Sequence, residues 1–154
     1  IRLWGYVRDI NRQGTTIFLT THYMDEADHL SDYISIVDHG QIIATGKPWD
    51  LKNALGQDLI YLETSDNQGA SNLLEKLDTV KGIRDKSKGI IVMVNVDGTY
   101  LLPEIMDKLR NGGIKIRAVN LKKPSMDDVF VHYTGRELRD TGTEKAVVVK
   151  PGRR

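Results

Sequence analysis

Apolar positions recur along the chain with two periods, and the switches between them mark out its elements. Over 2–13, Leu3, Val7 and Ile10 fall at i, i+4 and i+7 among Arg2, Arg8, Asp9 and Arg12, a helical spacing closed by Gly14. "TTIFLTT", Thr15 to Thr21, is a short apolar run without strict alternation, the pattern of a strand buried on both faces of a parallel sheet. Met24, Ala27 and Leu30 then form a narrow stripe on a short acidic helix. "YISIVDHGQIIATG" holds two apolar runs around Asp38-His39-Gly40, a hairpin signal ended by Gly46. Pro48 opens another short helix with Trp49, Leu51 and Leu55 as its apolar positions. A lone buried strand needs parallel neighbours, so this stretch reads as the tail of an α/β domain.

After Gly56 the pattern resets. "LIYLET" reads as a strand, and 70–77 as a helix with Ala70, Leu73, Leu74 and Leu77 on one face. "VKGIRDKS" and "GIIVMVNV" read as two strands meeting near Lys88-Gly89. A second helix follows over 100–111, with Leu101, Leu102, Ile105, Met106 and Leu109 apolar and Gly112-Gly113 at its end, and "IKIRAVNL" is the last strand. The order β-α-β-β-α-β is that of a ferredoxin-like split βαβ sandwich. Pro124 starts a closing helix whose Met126, Val129, Phe130 and Tyr133 keep the helical period, with Gly135 at its end. The expected organisation is therefore a C-terminal part of an α/β domain over 1–56, an accessory α+β domain over 57–140, and a mobile tail over 141–154.

Composition narrows the function classes. The 154 residues are 40% hydrophobic and 28% charged, the balance of a globular protein, and no apolar stretch approaches the roughly 18 residues that cross a bilayer. Cysteine is absent, which excludes disulfides, thiolate metal sites and cysteine nucleophiles. Net charge is +1 with both signs mixed throughout, so no basic patch argues for nucleic acid. The chain opens at Ile1, inside a helical pattern and without methionine, so further chain is expected before it.

His22, at the end of the apolar run, is the candidate for chemistry, and three readings compete. It can be an ordinary strand-end residue. It can belong to a metal site, since His22, Glu26 and His29 fall at i, i+4 and i+7; but the apparent strand runs up to Thr21, so His22 lies before the helix rather than on it. Asp25, Glu26 and Asp28 read as a solvated acidic first turn, favoured by the helix dipole.

The third reading rests on a resemblance. "TTIFLTTHYMDEADHLSDYISIVDHGQIIATGKPWDLK" resembles the segment around the switch histidine of ATP-binding-cassette (ABC) transporter ATPases: a strand ending in Thr-His, an acidic "MxEA" helix, a strand, then "xxGxIxxxGxPxxL". The matching residues are Thr21, His22, Met24 to Ala27, Asp32, Gly40, Ile42, Ile43, Gly46, Pro48 and Leu51. The family often has Cys-Asp-Arg where Ser31-Asp32-Tyr33 stands here. "KPSMDDVFVHYTGRELRD", Lys123 to Asp140, is similar to the "PSLDDVFLxxTGRxLRD" ending of ATPase subunits in the drug-exporter, daunorubicin-resistance branch.

The resemblance implies a fold class of α/β plus α+β, the C-terminal remnant of a P-loop NTPase core followed by a ferredoxin-like accessory domain. It implies that His22 is the switch histidine, reaching the γ-phosphate of ATP. The GxxxxGK[ST] loop, the "LSGGQ" signature and the Walker B acids do not occur in the chain, so ATP and Mg2+ are expected as cofactors of the intact parent and not of this piece, which should not hydrolyse ATP alone. Implied partners are a second ATP-binding subunit in a homodimer and membrane-spanning permease subunits, at the cytoplasmic face of the cell membrane. The accessory domain would regulate or stabilise that dimer. From the residues alone, a free-standing ferredoxin-like sensor of small molecules is the alternative. An RNA-binding module is disfavoured because "GIIVMVNV" lacks the exposed rings that base stacking needs.

Overall fold

A computed structural model of the chain describes residues 2–135; residues 136–154, with the expected tail and the matching Arg136, Leu138, Arg139 and Asp140, lie outside the described residues. Two helices, α1 (Arg2–Arg12) and α2 (Met24–Leu30), lead into a hairpin of β1 (Ile34–Asp38) and β2 (Gln41–Gly46), followed by α3 (Pro48–Asn53). Then come β3 (Asp58–Thr64), α4 (Asn67–Leu74), β4 (Val80–Lys86), β5 (Gly89–Val94), α5 (Gly98–Asn111), β6 (Ile116–Lys122) and α6 (Met126–Thr134). The result is a mixed α/β structure with two antiparallel sheets, β1-β2 and β4-β5-β3-β6.

Local chemistry sets most boundaries. In the first hairpin Asp38 pairs with Gln41, and the intervening His39 and Gly40 have φ of 48° and 76°, the left-handed pair of a type I′ turn. Helix α4 starts before the expected 70–77 stripe because the Asp66 carboxylate accepts from Gly69 N at 2.9 Å and caps it. The second hairpin turns at Ser87-Lys88, one residue before the expected place, since Lys86 pairs with Gly89. Gly89 serves instead for close approach: a Cβ there would lie 2.2 Å from the Leu62 carbonyl oxygen.

The four-stranded sheet is covered on both sides. On one, Ile60, Leu62, Ile90, Val92 and Val94 pack against Ala70 and Leu74 of α4 and Leu101, Ile105 and Leu109 of α5. On the other, Leu59, Ile91 and Met93 meet Met126 and Val129 of α6, Leu51 of α3, Leu55, Ala27 of α2, and Ile34 and Ile36 of β1. Burial on both faces explains why "GIIVMV" shows no alternation: all six residues are buried. Each large side chain so buried contributes on the order of 1.5–3 kcal/mol. The second cluster joins residues before Gly56 to the later sheet, so α6 closes a core made from both parts of the chain.

The first apolar run departs from expectation. Thr15 to Thr21 forms no strand; Ile17, Phe18 and Leu19 are exposed, Phe18 by 91%. A strand is made by its neighbours' hydrogen bonds, and among the described residues nothing pairs with this run. Its β-branched pattern records a preference that the surroundings do not satisfy.

Candidate functional site

The turn into α2 is built around Thr21. Its hydroxyl accepts from Tyr23 N at 3.0 Å and donates to Glu26 Oε2 at 2.8 Å, tying the N-cap residue Tyr23, which makes no side-chain cap of its own, to the first turn of the helix. His22 therefore stands on a fixed turn with its ring exposed, 4.2 Å from the Tyr23 ring centroid and tilted by 34°. Helix α2 is anchored on three sides. Ala27 is buried, Asp28 holds Lys52 of α3 through both carboxylate oxygens at 2.7 and 2.8 Å, and His29 stacks on Trp4 of α1.

The metal reading of His22, Glu26 and His29 does not match this arrangement. Glu26 is engaged by Thr21, the His29 Nδ1 lies 2.8 Å from the Asp25 carbonyl, and no group of three His, Asp or Glu among the described residues could hold an ion. Of the acids of α2, Asp25 is exposed in the first turn as expected, whereas Glu26 bonds to Thr21 and Asp28, a turn further on, bridges to α3.

The "PSMDDVF" segment is a structural junction. Ser125 and Asp128 form a reciprocal capping box at the head of α6. Asp128 is only 3% exposed; its carboxylate accepts two contacts from Lys122 Nζ at 2.9 Å, and Arg84 of β4 lies 3.5 Å away. Burial alone would raise its pKa, but hydrogen bonds from Lys122 and Ser125 outweigh it and hold the carboxyl below its ordinary range. The neighbouring Asp127 goes the other way: loss of solvent raises its pKa, and the charges of Asp25 on α2 and of Asp128 add to the rise. Of the four periodic apolar positions of this helix, Met126 and Val129 are the fully buried ones, and Phe130 packs at the margin of the cluster.

A second buried carboxylate went unnoticed in the sequence. Asp58, 3% exposed, accepts from Gly98 N at 2.8 Å at the start of α5 and pairs with Lys123 at 2.8 Å. Its partners lie 40 and 65 residues away, beyond the reach of any local pattern. Finally, the second face of the sheet carries a trough of about 230 Å³ lined by Leu59, Tyr61, Lys86, Ile91, Asn120 and Lys122. The Tyr61 hydroxyl donates to Glu63 at 2.7 Å, which raises the tyrosine pKa.

Residues 46–134 match the family described as ATP-binding protein DrrA1-3-like, C-terminal domain. The chain belongs to that family. The matched region runs from the end of β2 to the end of α6 and so contains the whole four-stranded sheet and the Asp128 junction. Among curated relatives, the daunorubicin/doxorubicin resistance ATP-binding protein DrrA of Streptomyces peucetius is 33% identical over 148 residues, covering 94% of this chain and 44% of that protein. The daunorubicin resistance ATP-binding protein DrrA3 of Streptomyces coeruleorubidus is 36% identical over 139 residues, 89% of this chain and 43% of that protein. The Nod factor export ATP-binding protein I of Ralstonia nicotianae is 30% identical over 149 residues, 90% and 42% respectively. The chain thus spans less than half the length of the curated relatives it matches, and it matches their C-terminal part.

Proposed function

We propose that this chain is the C-terminal portion of the ATP-hydrolysing subunit of an ABC export transporter of the drug-resistance type, with His22 as its switch histidine. The observation that carries the reading is the ordered run from Thr21-His22 through the acidic helix and hairpin to Gly46 and Pro48, in a chain whose relatives are resistance and export ATP-binding proteins. The exposed ring of His22 on the Thr21 turn is consistent with it: an imidazole there is available to donate one directed hydrogen bond to a γ-phosphate oxygen. The uncovered Ile17, Phe18 and Leu19 also fit a run that pairs with parallel strands of an NTPase core.

On this reading residues 1–56 belong to the nucleotide-binding domain. The sheet order β4-β5-β3-β6, with α4 and α5 on one face, supports a ferredoxin-like accessory domain over 57–140. That domain regulates or stabilises a homodimer of ATP-binding subunits, which works with membrane-spanning permease subunits. No helix among the described residues is long and apolar enough to cross a membrane, which suits a subunit bound at the cytoplasmic face. Mg2+ and ATP are the cofactors of the intact subunit, held largely by a phosphate-binding loop of the GxxxxGK[ST] type. Calorimetry tests the division of labour: this chain alone should show no low-micromolar, magnesium-dependent ATP binding, and such binding would overturn the assignment.

A further inference from the structure

We infer that the trough on the second face of the four-stranded sheet is a binding site for a small organic anion with a flat apolar body. Strand register puts its residues on one face: Tyr61 pairs with Ile91 and Asn120, Leu59 with Lys122, and Ile91 with Arg84, while Lys86 lies two residues along from Arg84. Leu59 and Ile91, each 1% exposed, are packed beneath it, so its accessible apolar surface comes from the Tyr61 ring and the aliphatic stems of Lys86 and Lys122. Half-buried Tyr61 forms a wall, and Lys86, Asn120 and Lys122 line the rest. An aromatic wall with a few convergent polar groups is the general form of a ligand site.

Charge decides the class of ligand. Arg84, Lys86 and Lys122 share this face with Asp128 and Glu63. Asp128 is engaged by Arg84 and Lys122, and Glu63 accepts a hydrogen bond from the Tyr61 hydroxyl. Lys86 has no carboxylate within 4.0 Å among the described residues, and no other described group bonds to the Asn120 side-chain amide. The balance is one uncompensated positive charge beside an amide able to donate two hydrogen bonds, which suits a carboxylate, sulfonate or phosphate head and opposes a cation. Size limits the body. The volume of about 230 Å³ is that of roughly eight waters at about 30 Å³ each, enough for one or two fused rings. Lys122 also connects the trough to Asp128 and thus to α6, so a bound anion competes for a contact that holds the junction.

The test is a titration of the labelled chain followed by amide NMR, with 2-naphthoate as probe and the cationic isostere 2-naphthylmethylammonium as control. Saturable shifts clustered at Tyr61, Lys86, Ile91 and Asn120 are expected for the anion, with the cation weaker by about tenfold. Lys86→Glu and, independently, Asn120→Asp should each weaken naphthoate by at least about fivefold while leaving the thermal melt unchanged. Equal binding of the two probes, shifts confined to the exposed Ile17 to Tyr23 run, no saturable shift, or indifference to both substitutions would overturn the inference. None of these readouts depends on ATP or on His22, so this inference and the transporter reading fail separately.

Discussion

Replacing Asp128 by asparagine removes one negative charge from the point where β4, β6 and α6 meet. The carboxylate is 3% exposed, caps α6 through Ser125, and faces Lys122 at 2.9 Å and Arg84 at 3.5 Å. Breaking a fully buried ion pair costs about 3–5 kcal/mol, and losing a helix cap about 1 kcal/mol. Both cations here can still reach water, since the Lys122 and Arg84 side chains are 39% and 20% exposed. Asparagine also keeps one acceptor for the cap. The expected loss for Asp128→Asn is therefore about 2 kcal/mol at pH 7. The pH dependence follows from the depressed pKa. A carboxyl held below its unfolded value stabilises the fold above about pH 4 and loses that contribution as pH falls through the folded value. Urea unfolding followed by circular dichroism should show the wild-type and variant curves converging in acid. A difference under about 0.5 kcal/mol at neutral pH, or one that persists unchanged in acid, would refute this account of the junction.

Three further outcomes are expected. Phe18→Ser should leave unfolding stability within about 0.5 kcal/mol, because the ring is 91% exposed; a larger loss would mean that the Thr15 to Thr21 run is packed. Gly56→Ala should cost at least about 2 kcal/mol, since Gly56 has φ of +124° and a Cβ would lie 2.6 Å from the Val94 carbonyl oxygen; a neutral effect in urea unfolding would contradict that close approach. Asp127→Asn should raise the melting temperature slightly at pH 7, with the gain vanishing in acid: a carboxyl whose pKa is raised by folding is a net penalty once ionised. A loss at pH 7 would reverse the sign.

The two hairpins, the Gly135 helix end and the β-α-β-β-α-β order of elements were legible because each is written in local chemistry: His39-Gly40 for the turn, a glycine at the helix end, periodic apolar residues for the helices. The Thr15 to Thr21 strand was misread for a physical reason, since its pattern states a preference that only neighbouring strands can realise. Trp49 was expected on the packed side of α3 and is 71% exposed; Leu51 and Leu55 take the core, because which residues of a short helix go inward is set by what it docks on. The partners of Asp58 are distant in sequence and left no local trace. At the candidate site, the Thr-His pair and the acidic helix were visible as a motif, whereas the Thr21 hydroxyl that fixes the turn between them is a feature of the fold, carried by no residue pattern.

The account centres on His22, and turnover measured together with ATP affinity in the intact subunit carrying this segment tests it most directly. A γ-phosphate contact that strengthens as charge develops on the transferred group should be lost in His22→Ala with a fall in kcat of about 10²–10³-fold, while ATP binding stays within about threefold. Turnover undiminished by the substitution would contradict it.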